Sequence, residues 1–189
     1  MGIDLSSIGA GVGGFVIHGQ CAGDESGRSV SSAGDVNGDG LADLIVGAPS
    51  SHPAAGALAG RSYVVFGQTG GGAVDLSAIA AGIGGFVIDG QSAWDASGDS
   101  VSAAGDVNGD GLADLIVGAH YSDDPWLGVD PGRSYVVFGK TGGGAVDLSA
   151  VAAGFGGSVI LGQSAWDHSG YSVSAAGDVN GDGFADLIV

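Results

Sequence analysis

Positive charge is almost absent from this sequence. Lysine and arginine together number 4, against 21 aspartates and glutamates, and the formal net charge is −17. Nucleic-acid binding needs lysine and arginine to neutralise phosphates, and anionic membrane surfaces attract the same residues. No apolar run approaches the roughly 18 residues of a membrane-spanning helix. The sequence therefore predicts no nucleic-acid partner and no membrane insertion.

Cysteine and glutamate are also scarce. Cys21 is alone, so an intrachain disulfide is excluded. Glu25 is the single glutamate, and the remaining acidic residues are aspartates, which favour turns where glutamate would favour helix. Glycine, in contrast, supplies 41 residues, and hydrophobic residues make up 44% of the chain. This composition predicts short strands and tight turns with enough apolar residues for a core.

A long internal repeat organises the chain. The sequence AGDVNGDGLADLIVGA occupies residues 33–48 and recurs unchanged at 104–119, and a third copy with one phenylalanine substitution occupies 176–189. Self-similarity at a fixed period is typical of repeat architectures. We expect three units, residues 1–74, 75–146 and, in part, 147–189, that together form one partial domain.

Each period contains four short runs of β-branched and aromatic residues bounded by Gly, Asp or Ser, a pattern that predicts strands. In the first period they are Ser29–Val36, Leu41–Ala48, Arg61–Gly67 and Gly85–Gly90. Four antiparallel strands per repeat form one blade of a β-propeller. The predicted fold is all-β, an incomplete propeller of fewer than three blades, in which Asp75–Gly82 could form a single helical turn.

The motif Asp-x-Asn-x-Asp-Gly-x-x-Asp follows the first strand-like run of every repeat. Oxygen-bearing side chains at alternate positions of a tight loop converge, and a backbone carbonyl at position seven can join them. Hard oxygen ligands of this number and flexibility suit calcium better than magnesium, so up to three Ca²⁺ sites are predicted. Their ligands are Asp35, Asn37, Asp39, Leu41 and Asp43, then Asp106, Asn108, Asp110, Leu112 and Asp114, then Asp178, Asn180, Asp182, Phe184 and Asp186.

This motif has two other interpretations. An EF-hand opens in the same way but needs a glutamate at position twelve and helices on both sides. Position twelve is Val46, Val117 or Val189, and the flanks have the pattern of strands, so the EF-hand is excluded. A turn rich in Asp, Asn and Gly that binds nothing remains the alternative, although three complete copies favour a metal site.

Further short motifs accompany these loops. Phe-Gly pairs stand at 66–67 and 138–139, and a Gly-Ala-Pro element stands at 47–49 with Gly-Ala-His at 118–120. Together with the loops they resemble the FG-GAP repeat of integrin α-chain propellers and their bacterial relatives, over essentially the whole chain. The resemblance implies a propeller, usually of seven blades, with calcium between a blade's first and second strands.

The same resemblance implies an extracellular location. It suggests a secreted or cell-surface protein that serves adhesion or recognition, and the linker segments are similar to those of large bacterial adhesin-like proteins. Propellers close with roughly four to eight blades. We therefore expect either the remainder of a longer chain or several copies of this one to close the ring.

The loops after the second strands, residues 50–60 and 121–132, differ most between repeats. A scaffold can vary such loops without harming its core, and the strand order places them beside the links between blades. Tyr121, Asp123, Asp124 and Trp126 are therefore the candidates for contacting an unknown protein or glycan. Packing of Trp126 against its own loop is the alternative.

Signals of catalysis are weak. The four histidines fall at unrelated repeat positions, no pair has zinc-ligand spacing, and no Gly-x-Ser-x-Gly lies between a strand and a helix. We predict that the chain is not an enzyme. The favoured hypothesis is a calcium-stabilised recognition module, and the alternatives are a calcium-rigidified spacer or a non-catalytic accessory part of a larger secreted hydrolase.

Overall fold

The computed structural model describes residues 4–189 as short strands joined by turns and three brief helices. The strands are β1 Ile17–His18, β2 Ser29–Gly34, β3 Asp43–Ala48, β4 Arg61–Val65, β5 Val74–Asp75, β6 Gly85–Asp89, β7 Ser100–Gly105, β8 Asp114–Ala119, β9 Arg133–Val137, β10 Val146–Asp147, β11 Gly157–Leu161, β12 Ser174–Gly177 and β13 Asp186–Ile188. The helices are α1 Leu5–Gly9, α2 Leu76–Ala80 and α3 Leu148–Ala152.

The longer strands form two complete four-stranded blades and the first half of a third. The first blade has the order β2-β3-β4-β6 and the second has the order β7-β8-β9-β11, with every neighbouring pair within a blade antiparallel. In the first blade Val46 lies between Val30 and Tyr63. Strands β12 and β13 begin the third blade. The predicted all-β fold with fewer than three blades is confirmed, and β2 and β3 each stop two residues short of the predicted limits at the first metal loop.

Two-residue strands link successive blades at their outer edge. β10 pairs in parallel with β6, so that Val146 lies opposite Ile88, and β5 pairs in the same way with β1. The connection between the third and fourth strands of one blade therefore adds a short strand to the blade before it. Backbone hydrogen bonds, as well as side chains, hold neighbouring blades together.

The predicted helical turn is present in every repeat. Asp75 and Asp147 cap α2 and α3, and their carboxylates accept hydrogen bonds from the N–H groups of Ser77 and Ser149. An aspartate at this position satisfies one of the N–H groups that a helix start leaves without a partner. With five residues each, none of the helices in residues 4–189 has the length and apolar character to cross a membrane.

The main core lies between the two complete blades. All six residues of β8 are buried, because a central strand of a packed blade is covered on both faces by its neighbours. Ile45, Val64 and Phe86 of the first blade belong to the same cluster as Leu115 and Tyr135 of the second. The continuous apolar run Leu-Ile-Val, which follows the first aspartate of β3 and β8, therefore suits these strands better than an alternation of apolar and polar residues would.

The sequence repeats are offset from the blades. The fourth strand of the first blade is β6, which lies beyond residue 74, and the fourth strand of the second blade is β11, beyond residue 146. Each blade thus takes its outer strand from the following repeat. This overlap makes every repeat depend on its neighbour for a complete sheet.

Candidate metal centre

Asp35 lies at the centre of the first metal loop, which joins β2 to β3. Its Oδ1 accepts hydrogen bonds from the N–H groups of Gly38 and Asp39, at 2.8 and 3.1 Å, and its Oδ2 accepts one from Gly40 at 2.9 Å. The Asn37 side chain accepts a bond from the Asp39 N–H at 2.8 Å and donates to the Asp39 carboxylate at 2.9 Å. The loop is therefore bent around its own polar side chains.

The other two loops repeat this arrangement. Asp106 and Asp178 each accept the same three backbone hydrogen bonds as Asp35, at distances from 2.7 to 3.2 Å. The third loop differs at its asparagine, because Asn180 Nδ2 donates to Asp186 Oδ1 at 3.3 Å rather than to the aspartate two residues on. Three loops in different surroundings thus adopt one local shape.

The ninth position of the motif holds the hairpin together. Asp43 is fully buried, and its carboxylate accepts hydrogen bonds from the N–H of Val36 at 2.9 Å and of Gly67 at 2.7 Å. Gly67 belongs to the Phe-Gly pair that follows β4. The buried Asp114 makes the equivalent bonds in the second blade. This aspartate therefore ties the metal loop to the third strand of its own blade.

Negative charge is concentrated around this buried carboxylate. Burial raises the pKa of Asp43, against the effect of its two backbone hydrogen bonds, and the nearby charges of Asp39 and Asp35 raise it further. The pKa of Asp114 is raised for the same reasons. A cation bound in the loop would offset both the burial and the mutual repulsion of the carboxylates.

The side-chain oxygens of the loops accept hydrogen bonds from backbone N–H groups. Among residues 4–189, no three side chains of the His, Cys, Asp and Glu types are grouped as ready metal ligands. The donor set still fits calcium, since carboxylate and amide oxygens are hard ligands and each oxygen has more than one lone pair. Ligation by the predicted side chains, and by the carbonyls of Leu41, Leu112 and Phe184, stays a prediction.

The metal loops also lie at the interface between blades, which sequence reasoning missed. The carbonyl of Asp35 accepts a hydrogen bond from the N–H of Ala113 in the next loop at 3.0 Å, and the carbonyl of Val36 accepts one from Lys140 at 2.8 Å. The side chain of Leu112 lies close to Gly38. The shape of one loop is therefore coupled to the position of the following blade.

The two aspartates of the predicted partner-binding loop make contacts within their own loop. Asp123 Oδ1 accepts a hydrogen bond from the N–H of Asp130 at 3.0 Å. The buried Asp124 accepts one from the N–H of Trp126 at 2.9 Å and forms an ion pair with Arg133 at 3.0 Å. Both side chains therefore shape the loop, and their contact with a partner stays a prediction.

The aromatic residues of the same loop point in different directions. Trp126 is 91% exposed, whereas Tyr121 is half-exposed and packs on His120 with ring centroids 3.9 Å apart. His168 and Tyr171, from the link into the third blade, lie 6.0 and 5.1 Å from His120. These histidines and tyrosines occupy unrelated positions in the repeat. The structure brings them together because the loop after β8 lies beside the link into the third blade.

The sequence is similar to those of known proteins. Residues 26–76, 97–148 and 169–189 match the family model described as FG-GAP repeat. Integrin alpha-7 of Mus musculus is 35% identical over 155 residues, which cover 82% of this chain and 11% of that protein. Integrin alpha-3 of Cricetulus griseus is 30% identical over 174 residues, which cover 92% of this chain and 15% of that protein.

A relative of a different kind is also similar. The phosphatidylinositol-glycan-specific phospholipase D of Bos taurus is 35% identical over 172 residues, which cover 86% of this chain and 18% of that protein. The chain thus spans less than a fifth of the length of these relatives. The residues that match the family model contain all three metal loops and the first three strands of both complete blades. On this combination of repeat, blade and loop, the chain belongs to the FG-GAP repeat family.

Proposed function

We propose that this chain is a calcium-binding propeller module that serves adhesion or recognition. The observation that carries the proposal is that three loops with the same hydrogen-bonded shape present the same set of oxygen donors. The candidate ligands of each loop are its three aspartates, its asparagine and one backbone carbonyl. Bound calcium would supply positive charge to a loop that otherwise gathers carboxylates.

Calcium in these loops would act on the stacking of blades. The loop carbonyls already accept hydrogen bonds from the next blade, so a cation that stiffens the loop also stiffens the interface. A site with a Kd of about 10⁻⁴ M in about 1 mM calcium stabilises the folded form by roughly 1.5 kcal/mol. Sites of this strength fill at extracellular but not at cytosolic calcium levels, which supports a secreted or surface location.

The relatives support recognition, because integrin alpha chains are prominent among them. We infer that the chain has no catalytic role of its own. We place it in a secreted or cell-surface protein, with the bacterial origin that its linker segments suggest. The similarity to a phospholipase D supports a second candidate, a non-catalytic module beside an enzyme domain. A calcium-rigidified spacer without a ligand is the third candidate.

The direct test is isothermal titration calorimetry with calcium and, separately, with magnesium. Asp39→Asn and Asp110→Asn remove one charge from one loop each while keeping the Oδ1 that accepts the bond from the residue two positions on. Each variant should lower the calcium stoichiometry by one site. Asp147→Asn is the matched control, since it removes a helix-capping carboxylate outside the loops.

Two results would overturn the calcium proposal. One is the absence of calcium binding up to about 10 mM, well above the range of extracellular modules. The other is a stoichiometry that stays the same in the double variant Asp39→Asn with Asp110→Asn. Either would leave the loops as turns that only organise the blades.

A further inference from the structure

A cavity of ≈ 340 Å³ opens where the links into three blades meet the loops after β3 and β8. The side chains of Trp94, Tyr121 and Tyr171 form aromatic parts of its wall, and Arg28 and Asp99 form charged parts. This volume lies within the range of small-molecule sites. The cavity is separate from the metal loops, which lie at the opposite end of β2 and β3.

The chemistry of the cavity does not follow the repeat. His120 and Tyr121 occupy the positions at which the first repeat has Pro49 and Ser50. Tyr171 stands where the two earlier repeats have Arg28 and Asp99. A repeat scaffold explains residues that recur, but it does not explain different aromatic residues that converge on one point. Trp94 recurs as Trp166 in the next link, but Tyr121 and Tyr171 have no aromatic counterpart, so the tyrosine part of the lining is specific to this junction.

The aromatic wall is held by fixed backbone. Trp94 has a φ of 73° and its N–H donates to the carbonyl of Ala57 at 2.9 Å, while its side chain is left exposed in a residue that is 64% accessible. Tyr121 and Tyr171 both pack against the His120 ring, at 3.9 and 5.1 Å between centroids. Rings that are already positioned lose little conformational entropy when a ligand stacks on them.

The polar wall holds both hydrogen-bond donors and acceptors. Arg28 Nε donates to Asp99 Oδ1 at 3.1 Å, and the other oxygen of Asp99 lies 3.6 Å from His120 Nδ1. His120 is 4% exposed, and within residues 4–189 this buried nitrogen has no hydrogen-bond partner. Burial lowers the pKa of His120, so its ring is neutral at neutral pH, and its buried Nδ1 lies toward Asp99.

We propose that this cavity binds a neutral sugar, with the C–H face of a pyranose ring on Tyr121 and Trp94 and its hydroxyls toward Asp99, Arg28 and His120. The inference rests on the recognition role proposed above and gives that role a ligand class. A hydroxyl group both donates and accepts hydrogen bonds, which matches a wall that carries a carboxylate, a guanidinium and an imidazole side by side.

Charge disfavours an anionic ligand. The cavity wall contains Glu25 and Asp99 against Arg28, and the whole chain carries −17, so an anionic sugar would be repelled. A neutral sugar avoids this repulsion. The same excess of acidic groups attracts a cation, although Arg28 already engages the Asp99 carboxylate at 3.1 Å, so a cation is the competing ligand.

The test uses the 189-residue chain in calcium and three probes, the methyl glycosides of glucose, galactose and mannose. Saturation-transfer NMR and tryptophan fluorescence report binding, with an expected Kd of about 1 mM for a ligand of this size. Tyr121→Ala should weaken the best glycoside about tenfold or more. Tyr121→Phe keeps the ring and should retain binding.

Three outcomes would overturn the sugar proposal. The first is that none of the three glycosides binds at about 50 mM, far above the expected Kd. The second is that Tyr121→Ala binds as well as the parent chain. The third is that choline, a cation, binds with the same dependence on Tyr121 and displaces the sugar. Calcium calorimetry on the same samples keeps the two proposals apart, since Tyr121→Ala leaves the metal loops intact.

Discussion

Single glycines set how closely the blades approach one another. Gly47 and Gly118, from the Gly-Ala elements of β3 and β8, each face a backbone carbonyl of the following link, Gly98 or Gly170. A Cβ added at either position would overlap that carbonyl oxygen. Since both glycines lie in extended strands, the requirement is steric and does not come from an unusual φ.

Gly118→Ala should therefore lower the free energy of unfolding by about 3 kcal/mol, since the added methyl group meets backbone that cannot move aside. Gly142→Ala is the control, because an added Cβ there would have no neighbour within 4 Å. Chemical denaturation of both variants measures the difference. Equal stability of the two would show that the blades can separate enough to accept the methyl group.

Asp95 is a second residue whose environment has a measurable effect. It lies in the link between β6 and β7, is 3% exposed, and accepts hydrogen bonds from the Ser92 N–H and the Ser122 hydroxyl. Burial raises its pKa from 3.8 to about 6, despite these bonds and the positive charge of Arg133. The folded state therefore binds a proton more tightly here than the unfolded state does.

A folded-state pKa above the unfolded one means that stability is present at low pH and lost as pH rises, here between 3.8 and about 6. Asp95→Asn keeps an oxygen acceptor without the charge. The free energy of unfolding of the variant relative to the parent chain should rise by on the order of 2 kcal/mol across this window. Urea denaturation at several pH values measures it, and a difference that does not vary with pH would contradict the assignment.

At the scale of elements, the loop from β8 to β9 depends on one arginine. Arg133 Nη1 donates to Gln91 Oε1, and its Nη2 donates to the Asp123 carbonyl and the Asp124 carboxylate, each at 3.0 Å. In the first repeat the equivalent Arg61 pairs with Asp89 instead. The longer second loop is thus held through its own aspartate.

Arg133→Met should lower the free energy of unfolding, because it removes the counter-charge of Asp124 together with the donors to Gln91 and to the Asp123 carbonyl. Hydrogen exchange at the Gly128 amide, which bonds to the Asp124 carbonyl at 2.9 Å, should also become faster. Arg28→Met is the control, since the Arg28 side chain is 56% exposed and ion pairs of exposed side chains contribute roughly 1 kcal/mol or less. Similar losses in both variants would argue against a special role for Arg133.

At the scale of the whole molecule, excess negative charge opposes folding. The net charge of −17 would become −11 if three Ca²⁺ ions were bound, since each adds two positive charges. Self-repulsion of like charges destabilises a compact state and is screened by salt. Calcium bound in the metal loops should therefore stabilise the folded state in part by reducing this repulsion.

Sodium chloride should raise the melting temperature of the calcium-free protein more than that of the calcium-saturated protein. A series from about 10 mM to about 300 mM salt spans Debye lengths from about 30 Å to below 8 Å. Thermal melts in EGTA and in excess calcium, each across this series, give the two slopes. Equal slopes would mean that calcium does not reduce the charge that salt screens.

The sequence by itself determined the repeat, the four strands of each blade and the places of the loops between the first and second strands. These follow from local rules, because the alternation of apolar runs with Asp and Gly fixes strands and turns within a few residues. The helical turn at Leu76–Ala80 was also predictable, since Asp75 is a capping residue in the right place. For the same reason, the burial of the ninth aspartate could have been suspected from its position inside an apolar run.

Only the tertiary structure decided which residues contact one another between blades. Residues from neighbouring blades come together there, as Arg28 with Asp99 and His120 with His168 show. Blade stacking fixes those distances through packing of side chains and hydrogen bonds between links, and no local pattern encodes them. The sequence therefore determined the strands of the blade and the places of its loops, whereas the cavity at the junction exists only because the blades are packed.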